Sequence, residues 1–233
     1  LPVRCVVRRR DGSVEGLVGD PWIEEQVAGR TFRVSANSFF QVNTVGAEVM
    51  VDLAAEMLAP QGHETLLDGY CGVGLFGLSL AGQVGQVIAI EESEAACEDF
   101  AWNARDLDNV TLYEGPMEEV LASFAEPGSG LGLETGPSAV ERTGPSAVER
   151  TGSSASERTG SSASERTGPS AVEGSGQGEG ERIHLVVIDP PRSGAGPEVV
   201  QQIARLGVPK LLYVSDDPAT LAPADVVLFA VKL

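Results

Sequence analysis

From residue 65 onward, short apolar runs alternate with amphipathic stretches. Leu66-Leu67-Asp68 closes the first run. Val87–Ile90, Val110–Tyr113, Ile183–Ile188 and Leu211–Val214 repeat the theme, and Val226–Val231 offers a last one. Between them lie helix-like stretches at Val73–Ala81, Ser93–Asp106, from Met117, and at Pro197–Leu206. Strands of continuous apolar character separated by helices predict a mostly parallel sheet covered on both faces, a doubly wound α/β domain. The first 41 residues read differently. Val3–Arg10, an Asp11-Gly12 turn and Val14–Val18 predict a β-hairpin. Val42–Leu58 then predicts a helix leading into the first parallel strand.

One segment breaks the alternation. From Thr135 to Gly174 an eight-residue unit recurs five times: TGPSAVER twice, TGSSASER twice, then TGPSAVEG. These units contain no aromatic residue and too little apolar surface to offset the entropy of ordering, so they predict a disordered insert and not a solenoid. The expected organisation is therefore residues 1–41 as a β-rich remnant of a smaller domain, 42–125 as the first part of the main domain, 126–180 as the insert, and 181–233 as the second part, cut short at its C-terminus.

Charge bears on partners. The chain carries 34 acidic against 16 Lys and Arg residues, a net −18. Nine of the acids and five of the bases lie in 126–182, which leaves 25 and 11 elsewhere, so the acidity belongs to the folded part. That argues mildly against nucleic acid, although Arg4, Arg8, Arg9 and Arg10 cluster near the start. The three cysteines, Cys5, Cys71 and Cys97, have no metal-ligand spacing, and only His63 and His184 could join them, so no metal site is expected. No apolar run reaches membrane-spanning length and no leader opens the chain, and the reduced thiols suit a cytoplasmic protein. A monomer is the simplest expectation.

Three motifs carry chemistry. Asp68-Gly69-Tyr70-Cys71-Gly72-Val73-Gly74-Leu75-Phe76-Gly77 follows the first parallel strand, where glycines let a ligand approach the backbone. Glu91, 19 residues after Gly72 at the end of the second strand, suits an acid that binds ribose hydroxyls. Alone, this pair fits a dinucleotide or S-adenosylmethionine. Asp189-Pro190-Pro191-Arg192 lies directly after a strand, where α/β domains bind ligands. Phe32–Thr44 sets aromatics beside amides and hydroxyls, with Asn43 or Thr44 able to cap the next helix.

In combination and order, Phe32–Thr44, Leu66–Leu80, Val87–Asn103, Val186–Gly196 and Tyr213–Leu221 resemble the RNA uracil-5-methyltransferases of tRNA and ribosomal RNA. The resemblance implies a Rossmann-like class I methyltransferase fold, an RNA substrate and S-adenosyl-L-methionine as cofactor. Gln41, Tyr70, Gly72, Gly74 and Glu91 would contact that cofactor, with Asp189 completing the site. The family's amide-bearing position after the glycines is Leu75 here.

Carbon 5 of uracil is a poor nucleophile, and the family activates it by adding a cysteine thiolate to carbon 6. That cysteine belongs to a turn after the fifth strand, where this chain reads Ser215-Asp216-Asp217-Pro218, so Asp216 holds the nucleophile's place. A carboxylate is a weaker nucleophile toward a conjugated carbon, and the family's proton-abstracting glutamate lies in a segment beyond Leu233. The separate N-terminal RNA-binding barrel that many relatives carry is likewise not expected in this chain. The expectation is an impaired methyltransferase. The alternatives are a non-catalytic cofactor- or RNA-binding pseudoenzyme and, resting on Gly72, Gly74, Gly77 and Glu91 alone, a nicotinamide-dependent oxidoreductase.

Overall fold

The computed structural model describes residues 5–11, 13–124, 140–143 and 182–215. Four N-terminal strands form two antiparallel hairpins, β1 (Cys5–Arg8) with β2 (Val14–Val18) and β3 (Trp22–Val27) with β4 (Arg30–Ser35). Helix α1 (Thr44–Leu58) leads into the main sheet. Its strands are β5 (Thr65–Gly69), β6 (Gln86–Glu91), β7 (Val110–Glu114), β8 (Val140–Thr143), β9 (Ile183–Ile188) and β10 (Lys210–Tyr213). Helices α2 (Leu75–Leu80), α3 (Glu94–Asn103), α4 (Met117–Phe124) and α5 (Gly196–Leu206) complete the order.

The sheet order is β10-β9-β5-β6-β7-β8, parallel throughout except for β8. The expected doubly wound fold is observed, and its physical basis is the two-residue period of the strands. Leu66, Val87 and Val187 point into one apolar layer with α1, α2, α3 and the β3–β4 hairpin. Their chain neighbours Leu67, Ile88 and Val186 point into the other with α4 and α5. Strands that are apolar on both sides must be covered on both sides. The chain winds from β5 out to β7 and returns to β9 on the other side of β5, so the topological switch point lies between β5 and β9.

Element boundaries follow local chemistry. Asn43 is the cap of α1, its side chain accepting from Gly46 N at 3.1 Å. Helix α2 begins at Leu75 and not at Val73, because Gly74 sits at φ 98°, outside helical space. The β3–β4 hairpin was not foreseen as a separate element. Its turn is Ala28-Gly29, with φ of 50° and 77°, and alanine is a weak signal for the left-handed conformation. This hairpin buries Val27, Phe32 and Val34 in the main core against α1 and α3. By contrast β1–β2 is largely exposed and pairs mainly with itself, its turn held by Asp11, whose Oδ1 accepts from Ser13 N and Oγ.

The repeat segment was expected to contribute no element. Four of its residues, Val140–Thr143, instead pair antiparallel with β7, from Thr111–Thr143 to Glu114–Val140. A sheet edge offers a ladder of unpaired backbone groups that can recruit even a weak strand former. The expected last strand, Val226–Val231, and Asp216 lie outside the described residues. No helix among the described residues is long and apolar enough to cross a membrane. Nor do three His, Cys, Asp or Glu side chains among them gather as a metal site.

Candidate cofactor and active site

The switch point opens into a cleft of about 980 Å³ at the carboxyl ends of the strands. Gln41, Tyr70, Gly72, Glu91 and Asp189, named from sequence as ligand contacts, all line it. They come from four separate segments: the approach to α1, the turn after β5, and the ends of β6 and β9.

Glu91 organises one wall. Its Oε2 accepts from Gly72 N at 2.8 Å and its Oε1 from Ser93 N at 2.8 Å. Each oxygen has a second lone pair left for a ligand hydroxyl. Gly72, at φ +56°, has nothing within 4 Å where a Cβ would stand, so a ligand can reach the backbone there. Gly74 is not among the lining residues. A Cβ on it would meet Leu78 and Phe100 side chains at 2.4 and 2.9 Å, so this glycine lets the loop pack down onto α2 and α3.

Beneath the loop, Asp68 is buried and its Oδ2 accepts from Gly77 N at 2.7 Å, while Oδ1 has no hydrogen-bond partner. Burial, together with the negative charges of Asp189 and Glu91, pushes its carboxyl up to about 7 despite the Gly77 bond. Tyr70 sits at φ +57°, in left-handed space, and its hydroxyl donates to Ala195 O at 3.3 Å. Burial and the neighbouring Glu118 raise this phenol to about 12, so it stays a donor. Ala195 N in turn donates to Tyr213 Oη at 3.1 Å, and the two tyrosines clamp the end of the Asp189–Ala195 loop.

Neither buried cysteine is a nucleophile in waiting. Burial, then Asp68 and Glu91, raise the Cys71 thiol well above its ordinary value, which keeps it protonated. Cys97 is fully buried and its Sγ donates to Glu91 O at 3.4 Å. Leu75 lines the cleft as a buried apolar residue. Asp216 lies outside the described residues, but Ser215, immediately before it, lines the cleft.

Sequence reasoning missed Met117 and Glu118, which close the cleft from the start of α4. It also missed Asp99 and Asn103 behind the cleft. Both lie on a helix that also carries Glu94 and Glu98, so no local pattern sets them apart.

Residues 13–126 match the family model described as tRNA (uracil-5-)-methyltransferase. An RNA methyltransferase of Streptomyces avermitilis, itself uncharacterized, is 31% identical over 93% of this chain and 38% of its own length. These matches support the RNA uracil-5-methyltransferase family for this chain. Within that family the mouse tRNA (uracil-5-)-methyltransferase homolog A is 40% identical, over 49% of this chain and 20% of the mouse protein. The fold is shared with a Pyrococcus abyssi tRNA (uracil-54, C5)-methyltransferase solved in complex with S-adenosyl-L-homocysteine. The TM-score is 0.56 at 22% identity, covering 90% of this chain and 38% of that one. The chain spans 30% to 38% of the length of the bacterial relatives it matches over most of its own length.

Proposed function

We propose that the cleft binds S-adenosyl-L-methionine and that the chain is the cofactor domain of an RNA uracil-C5 methyltransferase whose methyl transfer is impaired. The observation that carries this reading is the convergence of Gln41, Tyr70, Gly72, Glu91 and Asp189 on one cleft at the switch point. The donor set fits the cofactor: Glu91 for ribose hydroxyls, exposed backbone at Gly72, and Phe76, Ile90 and Met117 as apolar walls for a purine. When bound, the cofactor supplies an electrophilic methyl group on a sulfonium centre. Gln41, on the approach to α1, and Asp189, at the end of β9, orient the reacting ends, while Gly74 shapes the loop.

The substrate, by family membership, is a uridine in tRNA or ribosomal RNA, met in the cytoplasm by a monomer. Impairment follows from Asp216, which offers a hard carboxylate where addition to carbon 6 needs a thiolate. Two measurements test the reading: calorimetric titration with S-adenosyl-L-methionine, and transfer of tritiated methyl groups to unmodified RNA. Micromolar binding with transfer far below that of a cysteine-bearing relative is the expected pair of results. Absence of binding overturns it. The same Asp216 favours a second reading, a pseudoenzyme that binds cofactor or RNA without turnover, and zero transfer alongside tight binding would select it.

A further inference from the structure

Two walls of the cleft come from segments remote in sequence, and one helix behind them holds both. Asn103, 1% exposed at the end of α3, spends its whole side chain on this task. Its Oδ1 accepts from Arg33 N at 2.7 Å, and its Nδ2 donates to Arg33 O at 3.1 Å and to Val73 O at 2.9 Å. The first two bonds grip β4 as a neighbouring strand would. The third fixes the peptide between Gly72 and Gly74, in the loop that lines the cleft.

One turn earlier, Asp99 is fully buried. Its Oδ2 accepts from Ser35 N and Ser38 Oγ, both at 2.6 Å, and its Oδ1 from Ser35 Oγ at 2.8 Å. Arg33 Nε lies 2.8 Å from Oδ1 as an ion pair without the alignment of a hydrogen bond. These contacts secure the end of β4 and the bend that follows it, from which the chain runs on to Phe39, Phe40 and Gln41 on the cleft. Arg30 adds a further tie, donating to Asn103 O at 2.8 Å and to Asp106 Oδ1 at 2.9 Å.

A buried charge and a buried amide are poor sources of stability, since well-packed apolar residues of the same volume commonly do as well. What they supply is a single arrangement, because every donor and acceptor must meet its partner or lie unsatisfied. On the helix's inner face the neighbours of this pair are Ala96, Cys97 and Phe100, whose side chains offer only the weak thiol bond to Glu91 O.

We propose that Asp99 and Asn103 are positioning residues that set the gap between the Asn37–Gln41 wall and the glycine loop, and so determine cofactor affinity without touching the cofactor. The proposal rests on the reading of the cleft as an S-adenosyl-L-methionine site. Asn103→Ala removes all three side-chain bonds. Asp99→Asn keeps the shape and loses the charge.

The test measures three things on the full chain and both variants: calorimetric affinity for S-adenosyl-L-methionine, thermal midpoint, and amide hydrogen exchange. Each variant should weaken binding about tenfold, the loss of roughly one well-made hydrogen bond. Exchange should rise at residues 72–75 in Asn103→Ala alone and at 37–41 in both. A purely structural role would lower the midpoint and raise exchange throughout the domain while folded protein bound as before, and that result overturns the proposal. Should Asn103→Ala not fold, Asp99→Asn decides. If the unaltered chain binds no cofactor, the reading of the cleft fails, and the exchange pattern still shows whether α3 holds the two walls in place.

Discussion

Glu91 and Gly72 stand 19 residues apart in sequence and meet across a 2.8 Å hydrogen bond, the carboxylate accepting from the backbone of the glycine loop. The bond aligns the loop with the end of β6 and leaves the same carboxylate facing the cleft. One side chain therefore anchors the loop and lines the cleft.

Glu91→Ala should weaken S-adenosyl-L-methionine binding about a hundredfold, because it removes both the ligand acceptor and the loop anchor. Glu91→Gln keeps one acceptor oxygen, satisfies either Gly72 N or Ser93 N, and should cost about tenfold. Calorimetry on the three proteins checks the order. Equal affinity for all three would remove Glu91 from the site.

A second prediction concerns the floor of the loop. A Cβ on Gly77 would stand 2.7 Å from Asp68 Oδ2 and 3.0 Å from Val87 Cγ1, both held in the core. Gly77→Ala should destabilise the fold by about 1–3 kcal/mol through this overpacking, outweighing the helix propensity that alanine adds. Urea denaturation gives the value directly, and a more stable variant would show that the floor can yield.

The parallel strands and most of the helices were legible because the continuous apolar runs of doubly buried strands and a glycine turn after β5 are local signals. The β3–β4 hairpin was not, since its turn places Ala28, a weak signal for left-handed backbone, before Gly29. The pairing of Val140–Thr143 with β7 was equally hidden, because an edge recruits a strand whose own sequence barely asks for one. In the site, Gln41, Tyr70, Gly72, Glu91 and Asp189 were readable as motif residues. Sequence does not distinguish a glycine needed by a ligand from one that, like Gly74, leaves room for Leu78 and Phe100. Asp99 and Asn103 bond to backbone groups some 60 to 70 positions away, which no local pattern encodes.

Asp68 supports a prediction about pH. Its folded-state value, pushed up to about 7 by burial and by Asp189 and Glu91, lies above the ordinary 3.8. The folded state therefore holds a proton that the unfolded chain releases, and stability falls as pH rises from about 4 to 7, then levels. Asp68→Asn removes that dependence while its carbonyl oxygen can still accept from Gly77 N. Relative to the unaltered chain it should gain stability between pH 5 and pH 8, up to the order of a few kcal/mol. Denaturation at the two pH values decides, and an identical difference at both would mean Asp68 stays ionised throughout.

The last prediction concerns the nucleophile's place. Asp216 directly follows Ser215, which lines the cleft, and neither buried thiol nearby can stand in, since Cys71 is held protonated and Cys97 is fully buried. Addition to carbon 6 of a uracil needs a soft nucleophile, and a carboxylate with an ordinary pKa is charged at neutral pH but hard. RNA carrying 5-fluorouridine traps the adduct, because fluorine at carbon 5 does not leave as a proton does. The unaltered chain should form no adduct that survives denaturing electrophoresis. Asp216→Cys, with cofactor present, should form one if this single position is what was lost. If Asp216→Cys binds S-adenosyl-L-methionine normally and still forms no adduct, the defect extends beyond the nucleophile, to RNA binding or proton removal, and the pseudoenzyme reading gains.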